Sequence, residues 1–488
     1  MKKQLIFIAL AALILPAVLR GFWFYRGVPE RPEIATPDFA SFAAPQAPVN
    51  PAGETDEEIE QTSGTVLVDA VHGNQFVMSE IESLTSAIKA RGGRIETLTD
   101  ASMLEYQLKY VSAFISVSPT LSFTAVETQA LRSFAERGGR VLIFTDATRN
   151  MLFYDFISGN PIAYGDANAA NSLLSAFDIS VNNDYLYNTQ KNEGNFRNVL
   201  FDDFGKSELT FGLKEVALYG AHSVESPSGL VLLRGAESTL SSANDAHDPG
   251  QGGAALSEDG NVAAFGDFTF LTPPYNTYTD NATLIANLAD FALAGGQSKS
   301  LANFPFLFKE GRVQVFVAPE LTRTAELVSA LGGLQASLRY LNVEMEFVDD
   351  VPSSGDAIII GTFEPTEEIE PYAKKFDIVL GDGEFIDTTE FGEIGRYGNG
   401  ILLFDAGSKG STLVLLADSP EDIISLIGMA GGGSLFSCLT SDNVAVCSVG
   451  YGGEYSSGSG GESAGEGSTE GTPAEGETTP EATPTPGG

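Results

Sequence analysis

Cysteine is nearly absent, with only Cys438 and Cys447 in 488 residues. Two thiols at that spacing are too few for a structural zinc site. Basic residues are scarce as well: 27 Lys and Arg stand against 65 Asp and Glu, for a net charge of -38. Such an excess repels nucleic acid phosphates and argues against an anionic membrane surface as a partner. What remains is ordinary for a globular chain. Hydrophobic residues make up 43%, and the length admits two or three domains.

The stretch from Thr65 to Thr99 organises the rest. A β-type run, Thr65 to Val68, ends in Asp69. The polar turn Val71-His72-Gly73-Asn74-Gln75 follows, and then Ile81, Leu84 and Ile88 recur at helical spacing as far as Gly92-Gly93. This predicts strand, loop, helix and strand, the opening βαβ unit of a parallel sheet. Later segments repeat the pattern of an apolar strand leading to a polar turn. Ala113 to Val117 ends at Ser118-Pro119, Arg140 to Thr145 ends at Asp146, and Asn261 to Phe265 ends at Gly266-Asp267. Loops beyond the carboxyl ends of parallel strands share one edge. Asp69, His72, Asn74, Ser118, Asp146 and Asp267 are therefore expected to cluster.

Residues 1–26 read as a signal anchor or signal peptide. Lys2-Lys3 precede an apolar run from Leu5 to Leu19, with Arg20 and the aromatics Phe22, Trp23, Phe24 and Tyr25 after it. The run is short for a spanning helix, which needs about 20 apolar residues. No small-residue cleavage site follows it, and the aromatics suit a membrane interface, so the reading favours an uncleaved anchor. Residues 27–63, with six prolines and the acidic run Glu54-Thr55-Asp56-Glu57-Glu58, read as a disordered spacer.

A first α/β domain is expected over 64–296. The strand pattern weakens between Asn150 and Val216 into a segment carrying Tyr154, Tyr164, Tyr185, Tyr187, Phe196, Phe201 and Phe204. These aromatics could stack on sugar rings or fill a core. Ser238 to Gly253 reads as a flexible loop by composition. A smaller α/β domain over 304–450 follows, with strands at Arg312 to Ala318, Glu344 to Val348, Ala357 to Ile360 and Ile378 to Leu380, and a hairpin around Asp405 to Gly410. Cys438 and Cys447 bracket a turn and are expected to form a disulfide in an exported protein. Residues 451–488 read as a disordered acidic tail.

The segments Asp69-Ala-Val-His72-Gly-Asn74, Arg137-Gly-Gly-Arg140 leading to Asp146, and Gly266-Asp267-Phe-Thr-Phe270-Leu271 with Asp280-Asn281 resemble the glutamine-amidotransferase-like domains of unknown function. These are related to the gliding-motility ABC-transporter auxiliary subunits and the intraflagellar-transport domain. The resemblance covers about half the chain and implies a flavodoxin-like, class I amidotransferase-like parallel sheet. True amidotransferases place a nucleophilic Cys on a strained turn after a central strand, with a His base later. Here Ser118-Pro119 stands at that turn and the domain has no Cys, so acyl transfer is not expected.

Each candidate carries two readings. Asp69 could act as an acid or organise its loop. His72 could contact a ligand or hold the turn. Asp146 and Asp267 could join Asp69 around a hard cation or cap loops, and no metal or cofactor is assigned. His222 and His247 read as incidental. The function expected is a non-catalytic, membrane-anchored extracytoplasmic module binding a partner protein or glycan in the cell envelope, or a secreted one if the N-terminus is cleaved. The alternative is a hydrolase acting on an envelope or sugar substrate through Asp69 and His72, which requires the base within hydrogen-bond reach of its target.

Overall fold

The computed structural model describes residues 2–24, 64–149, 151–154, 161–296, 299–308, 311–364, 366–367, 369–380 and 383–450. The spacer at 27–63, the tail at 451–488 and Tyr25 lie outside the described residues, as do the side chains of Tyr154 and Tyr164. Helix α1, Lys2–Phe24, is apolar throughout its middle. Its 23 residues reach about 34 Å at 1.5 Å per residue, enough to cross a hydrocarbon core of about 30 Å. A signal sequence meets the same criterion.

Residues 1–297 and 298–488 form two separate compact units. The first is built on β1 (Thr65–Asp69), β2 (Arg94–Leu98), β3 (Ala113–Val117) and β4 (Arg140–Phe144), followed by β5 (Leu230–Arg234), β6 (Gln251–Leu256) and β7 (Val262–Phe265). Strands β2, β1, β3, β4 and β7 lie side by side in that order, each parallel to its neighbour. Counting parallel strands alone, the order is 2-1-3-4-5, which defines the flavodoxin-like arrangement. The other edge departs from a purely parallel sheet, because β6 runs antiparallel to β7 and β5 antiparallel to β6.

Alternation along β1 sends its side chains to two cores. Val66 and Val68 pack on one face with Leu84 and Ile88 of α2 (Glu82–Ala90), while Leu67 packs on the other with Leu131 and Phe134 of α3 (Ala125–Glu136). Helix α4 (Ala167–Leu174) adds Leu173 and Leu174 to the second face, and α5 (Asn281–Leu293) adds Leu284 and Leu288 to the first. With both faces covered, the central strands are continuous apolar runs. Helices α2 and α3 end at Arg91 and Arg137, and the glycines that follow, Gly92 and Gly138, adopt φ of +87° and +94°. That left-handed position is where a helix stop favours glycine.

The expected loop at Ser238 to Gly253 is corrected in part, since Gln251–Gly253 opens β6. A Cβ on Gly252 would sit 2.2 Å from the Leu233 carbonyl oxygen, so the glycines there serve close strand approach. Asp280 occupies the N-cap position of α5, yet its carboxylate accepts from the Lys214 and Glu215 amides instead of the helix.

The second unit carries a mixed sheet of β8 (Arg312–Val317), β9 (Glu344–Val348), β10 (Ala357–Thr362), β11 (Asn399–Gly407), β12 (Gly410–Ala417), β13 (Cys438–Thr440) and β14 (Val444–Ser448), in the order β9-β8-β10-β12-β11-β14-β13. Helices α6 (Ala325–Tyr340) and α7 (Pro420–Gly431) cover one face. The strand expected at Ile378 to Leu380 is reduced to one bridge between Val379 and Asp387. Cys438 and Cys447 stand opposite each other across β13 and β14 and are joined by a disulfide.

Candidate functional site

The carboxyl ends of β1, β3, β4 and β7 deliver the polar residues to one edge, in two linked groups. In the first, Asp69 ends β1 with no solvent exposure. Its carboxylate accepts from His72 Nδ1 at 2.9 Å, the Val71 amide at 3.1 Å, Asn74 Nδ2 at 3.1 Å and Ser116 Oγ at 2.7 Å. His72 is 4% exposed. Its ring stacks on Phe123 with centroids 3.8 Å apart, and Nε2 faces Glu127 Oε1 at 3.4 Å. Burial pulls the His72 pKa down, but the bond to Asp69 and the charges of Asp69 and Glu127 outweigh it, and the net shift is upward. For Asp69 burial pushes upward, and the bond to and charge of His72, with Ser116 and the Val71 amide, carry the net shift downward. The imidazole is thereby clamped between two carboxylates. It joins the β1 loop to the first turn of α3, where Glu127 also closes a capping box with Thr124.

The second group centres on a residue that the sequence did not point to. Asp166, fully buried before α4, accepts from Ser118 Oγ at 2.7 Å and from the Asp146 amide at 2.7 Å, and it meets His222 Nε2 at 3.1 Å. His222, to which the sequence assigned no role, is 1% exposed and bonded to Asp166. Asp146 accepts from Thr148 and from Thr269 Oγ1 at 2.9 Å, with Arg149 at 3.9 Å. Asp267 accepts from the amides of Tyr219, Thr269 and Phe270. Burial first, and then the charge of Asp146, pushes the Asp267 pKa well up. Burial and the charge of Asp166 push Asp146 the same way, against its bonds to Thr148 and Thr269.

All six sequence-chosen residues therefore lie along this edge. The two groups join through the end of β3, where Asn74 Nδ2 donates to the Val117 carbonyl and the Gln75 amide to that of Ser118. Sequence reasoning missed Ser116, Glu127, Asp166 and His222. Of these only Glu127 left a signal, the Thr124-x-x-Glu127 capping pattern.

Chemically the arrangement is closed except at Asn74, which is half-buried. Asp69, Ser118, Asp166 and Asp267 have no exposure, and Asp146 has 1%. Ser118 occupies the strand-to-helix turn at φ +43°, a conformation that strains a non-glycine residue. Its hydroxyl proton is directed at a carboxylate, with the His222 imidazole on the far side of that acid. Among the described residues no group of three or more His, Cys, Asp or Glu is disposed to hold a metal ion.

Fold and site together define a flavodoxin-like α/β domain with a sealed polar cluster at its strand ends. No protein-family model and no curated protein matches the sequence. Several solved structures are similar to part of the chain. The mmIFT52 N-terminal domain is 18% identical with a TM-score of 0.38, covering 47% of this chain and 98% of that one. A ThuA-like protein of Bacteroides uniformis ATCC 8492 is 13% identical with a TM-score of 0.29, covering 48% and 91%. PurLQS from Thermotoga maritima is 10% identical with a TM-score of 0.24, covering 47% and 97%. At these scores the likenesses carry no functional argument, and the fold class rests on the strand order.

Proposed function

We propose that this chain is a non-catalytic, membrane-tethered binding module of the glutamine-amidotransferase-like group, with its folded body held outside the membrane to engage a partner protein or glycan of the cell envelope. The observation that carries the reading is the sealed strand-end cluster. At the position where a nucleophile would stand, Ser118 is fully buried and bonded to Asp166, and a nucleophile needs an activating base and an approaching substrate. The hydrolase alternative finds no support in the His72 geometry, because both ring nitrogens already face carboxylates. The tether reading draws on the apolar helix Lys2–Phe24 and its two leading lysines, which favour an inside N-terminus.

Protease treatment of intact cells, followed by N-terminal sequencing of the membrane fraction, tests the proposal. An intact N-terminus in the membrane with the body digested from outside is expected. A mature N-terminus downstream of Arg20, or a body protected from external protease, contradicts the tether.

A further inference from the structure

The aromatic segment between α4 and β5 does not all enter the core. Phe201 is fully buried and Phe204 packs against the core, but Tyr185, Tyr187, Phe196 and Arg197 gather at the surface. The two-residue strand Leu186–Tyr187 explains part of this. Leu186 points inward, 4% exposed, so its neighbours Tyr185 and Tyr187 share the opposite face. Their rings lie 6.3 Å apart, and Phe196 meets Tyr187 edge-on at 6.2 Å. The Arg197 guanidinium lies 4.3 Å from the Tyr185 ring centre and 5.6 Å from that of Phe196. Phe196 is 45% exposed.

This surface is held in place from beneath. Asn188, fully buried, donates to Ser238 and Thr239 and accepts from the Gln190 and Lys191 amides. Its own amide donates to the Phe196 carbonyl at 2.7 Å. A platform fixed before a ligand arrives loses little ordering entropy on binding. Its polar equipment is a donor and an acceptor: Arg197, which has no carboxylate partner among the described residues, and Asp245, which accepts from the Tyr187 hydroxyl at 2.8 Å.

We propose that Tyr185, Tyr187, Phe196 and Arg197 form a binding platform for an uncharged, hydroxyl-rich saccharide. Aromatic ring faces take the C–H face of a sugar, while the planar guanidinium and the Asp245 carboxylate hydrogen-bond its hydroxyls. Nucleobases also stack on aromatics, but the net charge of -38 disfavours polyanions, whether nucleic acid or acidic glycan. The inference rests on the reading of the body as a binding module and names one ligand class for it.

Calorimetric titration of the full-length chain in detergent micelles with cellohexaose, chitohexaose and hexagalacturonate tests it. Saturable binding of a neutral hexamer is expected, without binding of hexagalacturonate. Phe196→Ala should weaken that binding about tenfold, Phe196→Tyr should retain it, and Arg197→Gln should weaken it with the far-UV spectrum unchanged. Absence of binding by both neutral hexamers, binding of the acidic hexamer alone, or full affinity in Phe196→Ala overturns the inference. A parallel pull-down from envelope extract separates the two proposals. Capture of an envelope protein without sugar binding overturns the platform and leaves the binding module standing, whereas neither sugar nor protein contradicts both.

Discussion

His72 Nδ1 lies 2.9 Å from Asp69 Oδ1, and the pair is closed from solvent by Phe123, on which the imidazole stacks. The histidine therefore ties the loop after β1 to the start of α3. With Glu127 at its other nitrogen, no ring position remains for a substrate proton. A histidine used this way serves the fold, and its charge makes the fold sensitive to pH.

Thermal stability should fall on the alkaline side of neutrality. His72 and His222 both have pKa values raised above the ordinary 6.5, so their contribution is fully present below 6.5 and is lost as pH rises through the folded values. Asp146 and Asp267, also raised, act in the same sense at lower pH, because their contribution is present below the ordinary carboxylate value and lost above it. Asp69 is lowered and opposes them only as pH falls through its folded value. Calorimetric scans at about pH 6 and about pH 8.5 should therefore give the higher melting temperature at the lower pH. A melting temperature that rises between the two would contradict these assignments.

Gly266→Ala should destabilise the first unit by about 1–3 kcal/mol or more. A Cβ there would sit 2.0 Å from the His222 carbonyl oxygen, forcing apart the segments that carry Asp267 and His222. Urea unfolding measures this, and a cost below about 0.5 kcal/mol, the range of an ordinary surface change, would show that the approach is looser.

The central strands were legible because β1, β3 and most of β4 are buried runs of apolar residues ending in a polar turn. Strand β6 was not, since Gly252 and Gly253 carry no side-chain pattern and their role is the approach of Leu233 and Leu218. The Asp69 end of the site was legible in part, as Val71, His72 and Asn74 lie within 5 positions of Asp69, whereas Ser116 lies 47 away. Ser118 bonds to Asp166, 48 positions away, and Asp166 to His222, 56 positions away. Neither sits in a local motif, so only the folded topology joins them.

The disulfide predicts a chemical result. Labelling the denatured, unreduced protein with a thiol reagent should give no adduct, and labelling after reduction should give two, one each at Cys438 and Cys447. Adducts before reduction would show free thiols. Closing so short a loop should contribute on the order of 2–3 kcal/mol, read as a lowered unfolding midpoint of the second unit on reduction.

The central claim is that the strand-end cluster holds the fold and that recognition happens elsewhere. His72→Ala tests it most directly, because it removes the imidazole between Asp69 and Glu127 while leaving Asp69 its bonds from Asn74, Ser116 and the Val71 amide. The account predicts a loss of roughly 1–3 kcal/mol in unfolding free energy, with neutral-hexamer affinity and partner capture at wild-type levels in the folded fraction. Unchanged stability together with abolished binding would contradict it.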